Sequence, residues 1–227
     1  MLALGLCAAS AQADLITNGG FETGSTSAWT VTGPNAGGCG QNFLVSTTGA
    51  SSGCSGFAPI PSGFVTPQAG NFAAYAAFDG GGPLSHTLTQ TFAVPVGTGI
   101  ASVSWEDALG FGNGWIFPSA RVYTVNLLDG SGVLVSNLMT ESFKNTAGGV
   151  FQNWTAHTVD ISSELSLLAG HNAQLQFNLY IPQAFTGPGV FGLDQVSIQS
   201  KTVPEPGTLA LLALGLFGFA LTRKRQS

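Results

Sequence analysis

The strongest constraint on how this 227-residue chain folds is a period of two. From Ala173 to Ile181, the apolar residues Leu175, Phe177, Leu179 and Ile181 alternate with Gln174, Gln176, Asn178 and Tyr180. Successive side chains of a strand point to opposite faces, so this segment has one core face and one wet face. The same alternation marks Tyr123, Val125 and Leu127, then Ala101, Val103 and Trp105, then His157, Val159 and Ile161. Thr87 to Val94 and Asn71 to Phe78 add two more strands, and Gly, Pro, Asn and Asp separate the runs. Many short strands with such punctuation predict an all-β antiparallel sandwich. Ser162 to Ala169, stopped by Gly170, predicts one short helix or turn. Pro34 to Gly70, rich in Gly, Ser and Pro, reads as a long surface excursion.

Composition narrows the setting. Charged residues are 7% of the chain, far below the roughly 25% of an ordinary globular protein. Gly, Ser, Thr, Asn and Gln must therefore make the surface, which suits an extracellular protein. Between residues 14 and 203 the cations are Arg121, Lys144 and Lys201 against ten acids, seven net negative charges. Nucleic acid is excluded as a natural partner on that balance. The first 13 residues read as the remnant of a secretory signal, apolar from Leu2 to Ala9 and ending in the A-x-A site Ala11-Gln12-Ala13. Cleavage there discards Cys7 and leaves Cys39 and Cys54, most simply a disulfide in an oxidising compartment, worth about 3 kcal/mol in the chain-entropy model.

The last residues give an address. Gly207 to Leu221 carry no charge, and Arg223-Lys224-Arg225 follow directly. As a helix the run is about 22 Å long, short for a bilayer core of about 30 Å. The basic cluster keeps that end cytoplasmic and places everything before it on the far side of the membrane. Val203-Pro204-Glu205-Pro206 separates the domain from this run by a stiff, extended joint. Pro-Glu-Pro, short apolar helix and basic cluster together resemble the PEP-CTERM protein-sorting tail. That resemblance implies an exosortase-type membrane protease as partner, a cut near Glu205, a transient inner-membrane anchor, and delivery to the cell envelope or outside. The expected organisation is thus residues 1–13 signal, 14–200 jelly-roll sandwich and 201–227 sorting tail with a short transmembrane helix.

The domain's two ends carry a second resemblance. Leu15-Ile16-Thr17-Asn18-Gly19-Gly20-Phe21-Glu22 with Trp29, and Gly192-Leu193-Asp194-Gln195-Val196-Ser197-Ile198, are similar to the opening and closing strands of galactose-binding-like jelly rolls, the fold of many carbohydrate-binding modules. The segment Leu84 to Val96 is similar as well. The family implies a structural calcium ion where first and last strands meet. Asp194 shares parity with Val196 and Ile198, so it is expected to point inward, where an unpaired carboxylate is costly. Glu22, with Asp194 and a carbonyl at Asn18, makes the candidate calcium set. The alternative is that Glu22 is solvated, Asp194 accepts backbone hydrogen bonds in a turn, and no metal binds.

For ligand binding, the glycine-rich stretch around Phe111, Asn113, Trp115 and Phe117 sets aromatic rings where a sugar can stack, with Glu106 or Asp107 as hydrogen-bonding neighbours. The bland alternative is that Trp115 and Phe117 plug one end of the sandwich; the other tryptophans are expected in the core. Catalysis has little support. Gly49-Ala50-Ser51-Ser52-Gly53 matches G-x-S-x-G without the strand-turn-helix context that motif needs. Glu106 and Asp107 are adjacent and so lie on opposite strand faces. His86, His157 and His171 are scattered. The reading is a non-catalytic, exported surface or matrix protein associated with polysaccharide, with an extracellular glycan hydrolase or lyase as the alternative.

Overall fold

The computed structural model describes residues 12–34, 41–47, 66–77, 82–111, 120–144, 150–182 and 189–202. The strands are β1 (Gln12–Asp14), β2 (Thr30–Thr32), β3 (Gln41–Ser46), β4 (Ala73–Ala77), β5 (Leu84–Ala93), β6 (Thr98–Phe111), β7 (Arg121–Asp129), β8 (Leu134–Phe143), β9 (Val150–Asp160), β10 (Asn172–Ile181) and β11 (Gly189–Thr202). One helix, α1, covers Ser162–Leu167 between β9 and β10. Two antiparallel sheets face each other: β3-β4-β11-β6-β9, with β1 beside β11, and β2-β5-β10-β7-β8. This is the all-β sandwich the alternation predicts.

The alternation works as expected at the centre of the second sheet. Leu175, Phe177, Leu179 and Ile181 of β10 are fully buried, as are Val125 and Leu127 of β7. They meet Ala101, Val103 and Trp105 of β6 across the interface. Burying each large apolar side chain contributes about 1.5–3 kcal/mol. The opening motif is built into this core. Phe21 is buried, its ring 5.7 Å from that of Trp29, which lies 6.1 Å from Phe177. Gln90 of β5 donates to the Thr17 carbonyl and accepts from the Thr17 N–H, so one side-chain amide ties the chain after β1 to the opposite sheet.

Strand β11 departs from simple parity. Phe191 and Leu193 face the core, and so do Val196 and Ile198. A register shift against β6 falls between Asp194 and Ser197, and Gln195 adopts φ 52°. This bulge inserts one residue and flips the pattern. Asp194 therefore lies on the opposite face from Val196 and Ile198, contrary to the parity argument. It is buried all the same, because the outer face of this sheet is covered. There Ala73, Tyr75, Ala108 and Val190 form a second small cluster with Trp154, whose indole N–H donates to the Thr66 carbonyl. Trp29 and Trp105 are core tryptophans, whereas Trp154 seals this outer layer.

Gly19 shows why the N-G-G-F turn is glycine-rich. Its carbonyl accepts from the Val196 N–H, and a Cβ there would stand 1.8 Å from the Val196 carbonyl oxygen. Three further differences from the sequence reading concern edges. The expected excursion 34–70 contains β3, paired to β4. Strands β1 and β2, each of three residues, carry no readable alternation. Strand β1 also spans the expected signal cleavage point: Gln12 and Ala13 pair with Lys201 and Ser200, and Asp14 with Gln199. The Asp14 carboxylate accepts from Ile16 N, Ser197 Oγ and Ile198 N, so the residue just after the expected cleavage point also fastens the chain to β11.

Candidate functional site

Two carboxylates from opposite ends of the sequence meet one short segment. Asp194 Oδ2 accepts the main-chain N–H groups of Gln68 and Ala69 at 3.1 and 3.2 Å. Glu22 accepts those of Asn71, through both oxygens, and Phe72, at 3.0 to 3.1 Å. Gly70 lies between them with φ 65°, and a Cβ there would come within 2.3 Å of Glu22 Oε1. The left-handed conformation and the close approach both require glycine. Asp194 Oδ1 takes the Gln195 N–H at 2.7 Å and the Gln195 side-chain amide at 3.4 Å. Burial pushes the Asp194 carboxyl above its ordinary range, and these N–H donors pull the other way without reversing it.

Strand pairing thus brings Glu22 and Asp194 to a common segment, as the sequence reading expects. Asn18 is turned elsewhere. Its side-chain amide donates to the carbonyls of Ser25 and Ser27, its Oδ1 accepts Thr23 N–H, and its main-chain carbonyl accepts the Trp29 indole N–H. Its role is to brace the turn at φ 53°. As a test of calcium, the two acids supply the hard oxygens that ion takes, and burial is the largest influence on the Asp194 carboxyl. Against this, main-chain N–H groups already engage both carboxylates, and no group of three or more His, Cys, Asp or Glu suited to a metal occurs among the described residues.

A second polar cluster lies between the sheets. Asp107 of β6 is buried; its Oδ2 accepts the Trp105 indole N–H at 2.9 Å and its Oδ1 lies 3.1 Å from His157 Nε2 on β9. The His157 ring stacks on Trp105 with centroids 5.0 Å apart. Tyr123 of β7 and Glu141 of β8, which are cross-strand partners, complete the group from the other sheet. Burial raises the Asp107 carboxyl, offset in part by His157 and Trp105. Burial, then the Asp107 charge, raises both the Tyr123 hydroxyl and the Glu141 carboxyl. Sequence reasoning missed this group because its members sit on four strands. The one available signal was that His157 and Trp105 each belong to an alternating run; only the register makes them partners.

Asp107 leads up β6 toward Phe111, the first residue of the stretch expected to bind ligand. Asn113, Trp115 and Phe117 lie outside the described residues, as do the side chain of Phe111, Cys39, Cys54, Val203 to Pro206 and Arg223 to Arg225. Glu106 is opposite Asp194 in the β6–β11 register, on the other face from Asp107.

Residues 202–225 match the PEP-CTERM protein-sorting motif. That motif marks the chain as exported and recognised by an exosortase, a membrane protein. No curated protein matches the sequence. Similar solved structures include TmCBM61 in complex with β-1,4-galactotriose, at 18% identity and TM-score 0.46, covering 82% of this chain and 97% of that one. The K3 cleaved adhesin domain of Lys-gingipain from Porphyromonas gingivalis w83 is 16% identical, TM-score 0.48, covering 83% and 100%. A cyclase from Fischerella sp. TAU is 17% identical, TM-score 0.49, covering 86% and 100%. What each of these binds or does belongs to that protein. The fold here rests on its own strand order.

The raised acids give the domain a directional pH response. A carboxyl whose folded value lies above its unfolded one holds its proton more tightly when folded, so stability falls as pH rises from about 4 through the folded value. Asp107, Glu141 and Asp194 are of this kind. Asp129, Asp160 and Glu164, lowered by hydrogen bonds from Ser131, Ser162 and Ser163, lose their contribution only as pH falls below about 4. The unfolding temperature of the purified chain is therefore expected to rise as pH drops from 7 to about 5 and to fall again below about 4. Asp107→Asn should reduce the rise; a flat profile in both proteins would contradict the buried-acid account.

Proposed function

We propose that this protein is an exosortase substrate whose sandwich acts outside the cell as a non-catalytic binding module for polysaccharide of the surface or matrix. The observation that carries the reading is the sorting motif directly after β11, joined to a domain with few charges. Phe111, Asn113, Trp115 and Phe117 are the proposed sugar-contacting residues, since aromatic faces on a glycine-rich stretch suit pyranose rings. The alternative, a glycan hydrolase or lyase, draws on the Asp107, His157 and Glu141 cluster. Acid–base hydrolysis needs its carboxyl groups beside an open sugar site. Asp107, Trp105 and Tyr123 are buried in packing instead, which favours the binding reading.

In a host with an exosortase, the mature protein is expected to end within Val203 to Pro206, and replacing Pro204 and Pro206 by Ala should leave the chain in the membrane fraction. The released protein should be retained on an immobilised polysaccharide, with Trp115→Ala lowering retention by about tenfold, the scale of one lost aromatic contact. An uncut, membrane-retained wild type would overturn the sorting claim. Absence of retention on neutral and acidic polysaccharides alike would overturn the binding claim.

We also propose a structural calcium beside Glu22 and Asp194, supported by their convergence on one segment and by the burial of the Asp194 carboxylate. A ligand that binds only the folded state stabilises it by about 2.7 kcal/mol at a hundredfold excess over Kd. Calcium should then raise the unfolding temperature, and Asp194→Asn should abolish that rise. Equal curves in calcium and in chelator would leave the main-chain N–H groups as the sole partners of both acids.

A further inference from the structure

The two ends of the sandwich differ in a way the sorting motif makes meaningful. Thr202, the last residue of β11, is opposite Thr98, and Lys201 is opposite Ile100, so the sorting tail leaves beside the start of β6. The same end carries the β5–β6 turn, the β7–β8 turn and α1. Asn172 is paired with Ala93 and Ala173 with Asp129, and Gly170 N–H donates to the Val94 carbonyl. Six large hydrophobic residues are exposed among the described residues, and five of them lie at this end: Val96, Ile100, Val133, Leu134 and Leu167, each 57% to 81% exposed. The sixth, Tyr180, lies toward the other end of β10.

Chain length decides what can cover them. Four residues, 203–206, separate Thr202 from the apolar run, and even fully extended they span at most about 14 Å. A 14-residue strand such as β11 is about 45 Å long. A chain anchored through the tail therefore holds the exit end close to the membrane and the opposite end well away from it. Nearby charges do not favour an electrostatic contact: Asp129, Asp160 and Glu164 outnumber the one described cation at this end, Lys201, and Asp129 is committed to the turn through Ser131 and Val133.

We propose that, before the tail is cut, this exit end rests on the bilayer surface, with Val96, Ile100, Val133, Leu134 and Leu167 entering the boundary between headgroups and acyl chains. The inference rests on the reading of residues 207–221 as a membrane segment. The contact orients the ends of β6 and β10 away from the lipid. It is apolar, weak on its own, and is released when cleavage removes the anchor.

The test is backbone hydrogen exchange of the full chain in phosphatidylcholine vesicles, compared with a Leu212→Arg, Leu216→Arg variant that cannot insert. Segments 94–100, 130–134 and 163–168 should exchange about tenfold more slowly in the anchored chain, with no dependence on salt. Ile100→Ser with Leu167→Ser should abolish that protection while leaving the unfolding temperature unchanged, because both side chains are exposed. Failure of the wild type to float with vesicles would overturn the membrane reading itself. Flotation with exchange equal to that of the non-inserting variant would overturn this inference alone. Equal protection without vesicles would assign the patch to contact between copies and overturn it as well.

Discussion

The outer layer of the first sheet depends on how strand β11 handles a carboxylate. The bulge at Gln195 lets the strand keep Phe191, Leu193, Val196 and Ile198 in the core while Asp194 turns to the other face. A buried carboxylate there would be costly alone. Four hydrogen bonds from Gln68, Ala69 and Gln195 offset that cost, and Glu22 repeats the arrangement one step along, at Asn71 and Phe72. The segment before β4 is thereby pinned across the sheet, and it closes the patch of Tyr75, Ala108, Val190 and Trp154. Gly19 and Gly70 are required where backbone and carboxylate approach too closely for a side chain.

How far the fold could be read in advance follows from the physics of each element. β10 and β7 are central, and one of their faces packs wholly in the core, so burial imposes strict alternation. β1, β2 and β3 are edge or short strands, held by ladder hydrogen bonds that any residue can make, so they leave no pattern. The sequence did mark Glu22 and Asp194 as companions, through the two motifs at the domain's ends. It misplaced the face of Asp194 because a bulge is a backbone event: parity counted from Val196 is wrong by one residue once Gln195 enters φ 52°. The Asp107 and His157 pair was illegible for another reason. Residues 50 positions apart meet only when the β6–β9 register is known.

Sorting and structure point the same way. The low charge, the sandwich and the sorting motif describe an exported protein that is transiently anchored in the membrane through its C-terminus. The strand order gives this part a polarity, with Thr202 beside the start of β6 at one end and Gly189 opposite Phe111 at the other. Buried acids between the sheets add a mild preference for acidic conditions, since protonation relieves their desolvation. The buried members of that cluster, Trp105, Asp107 and Tyr123, are packed between the sheets.

Glu22 and Asp194 hold the segment before β4 through its main-chain N–H groups. Amide hydrogen exchange at Gln68, Ala69, Asn71 and Phe72 tests it most directly. These four amides are predicted to exchange at least about a hundredfold more slowly than in an unfolded chain, although they lie outside any strand. In Asp194→Ala, protection of Gln68 and Ala69 should be lost while Asn71 and Phe72 keep most of theirs. Unprotected amides at all four positions in the wild-type protein would contradict the account.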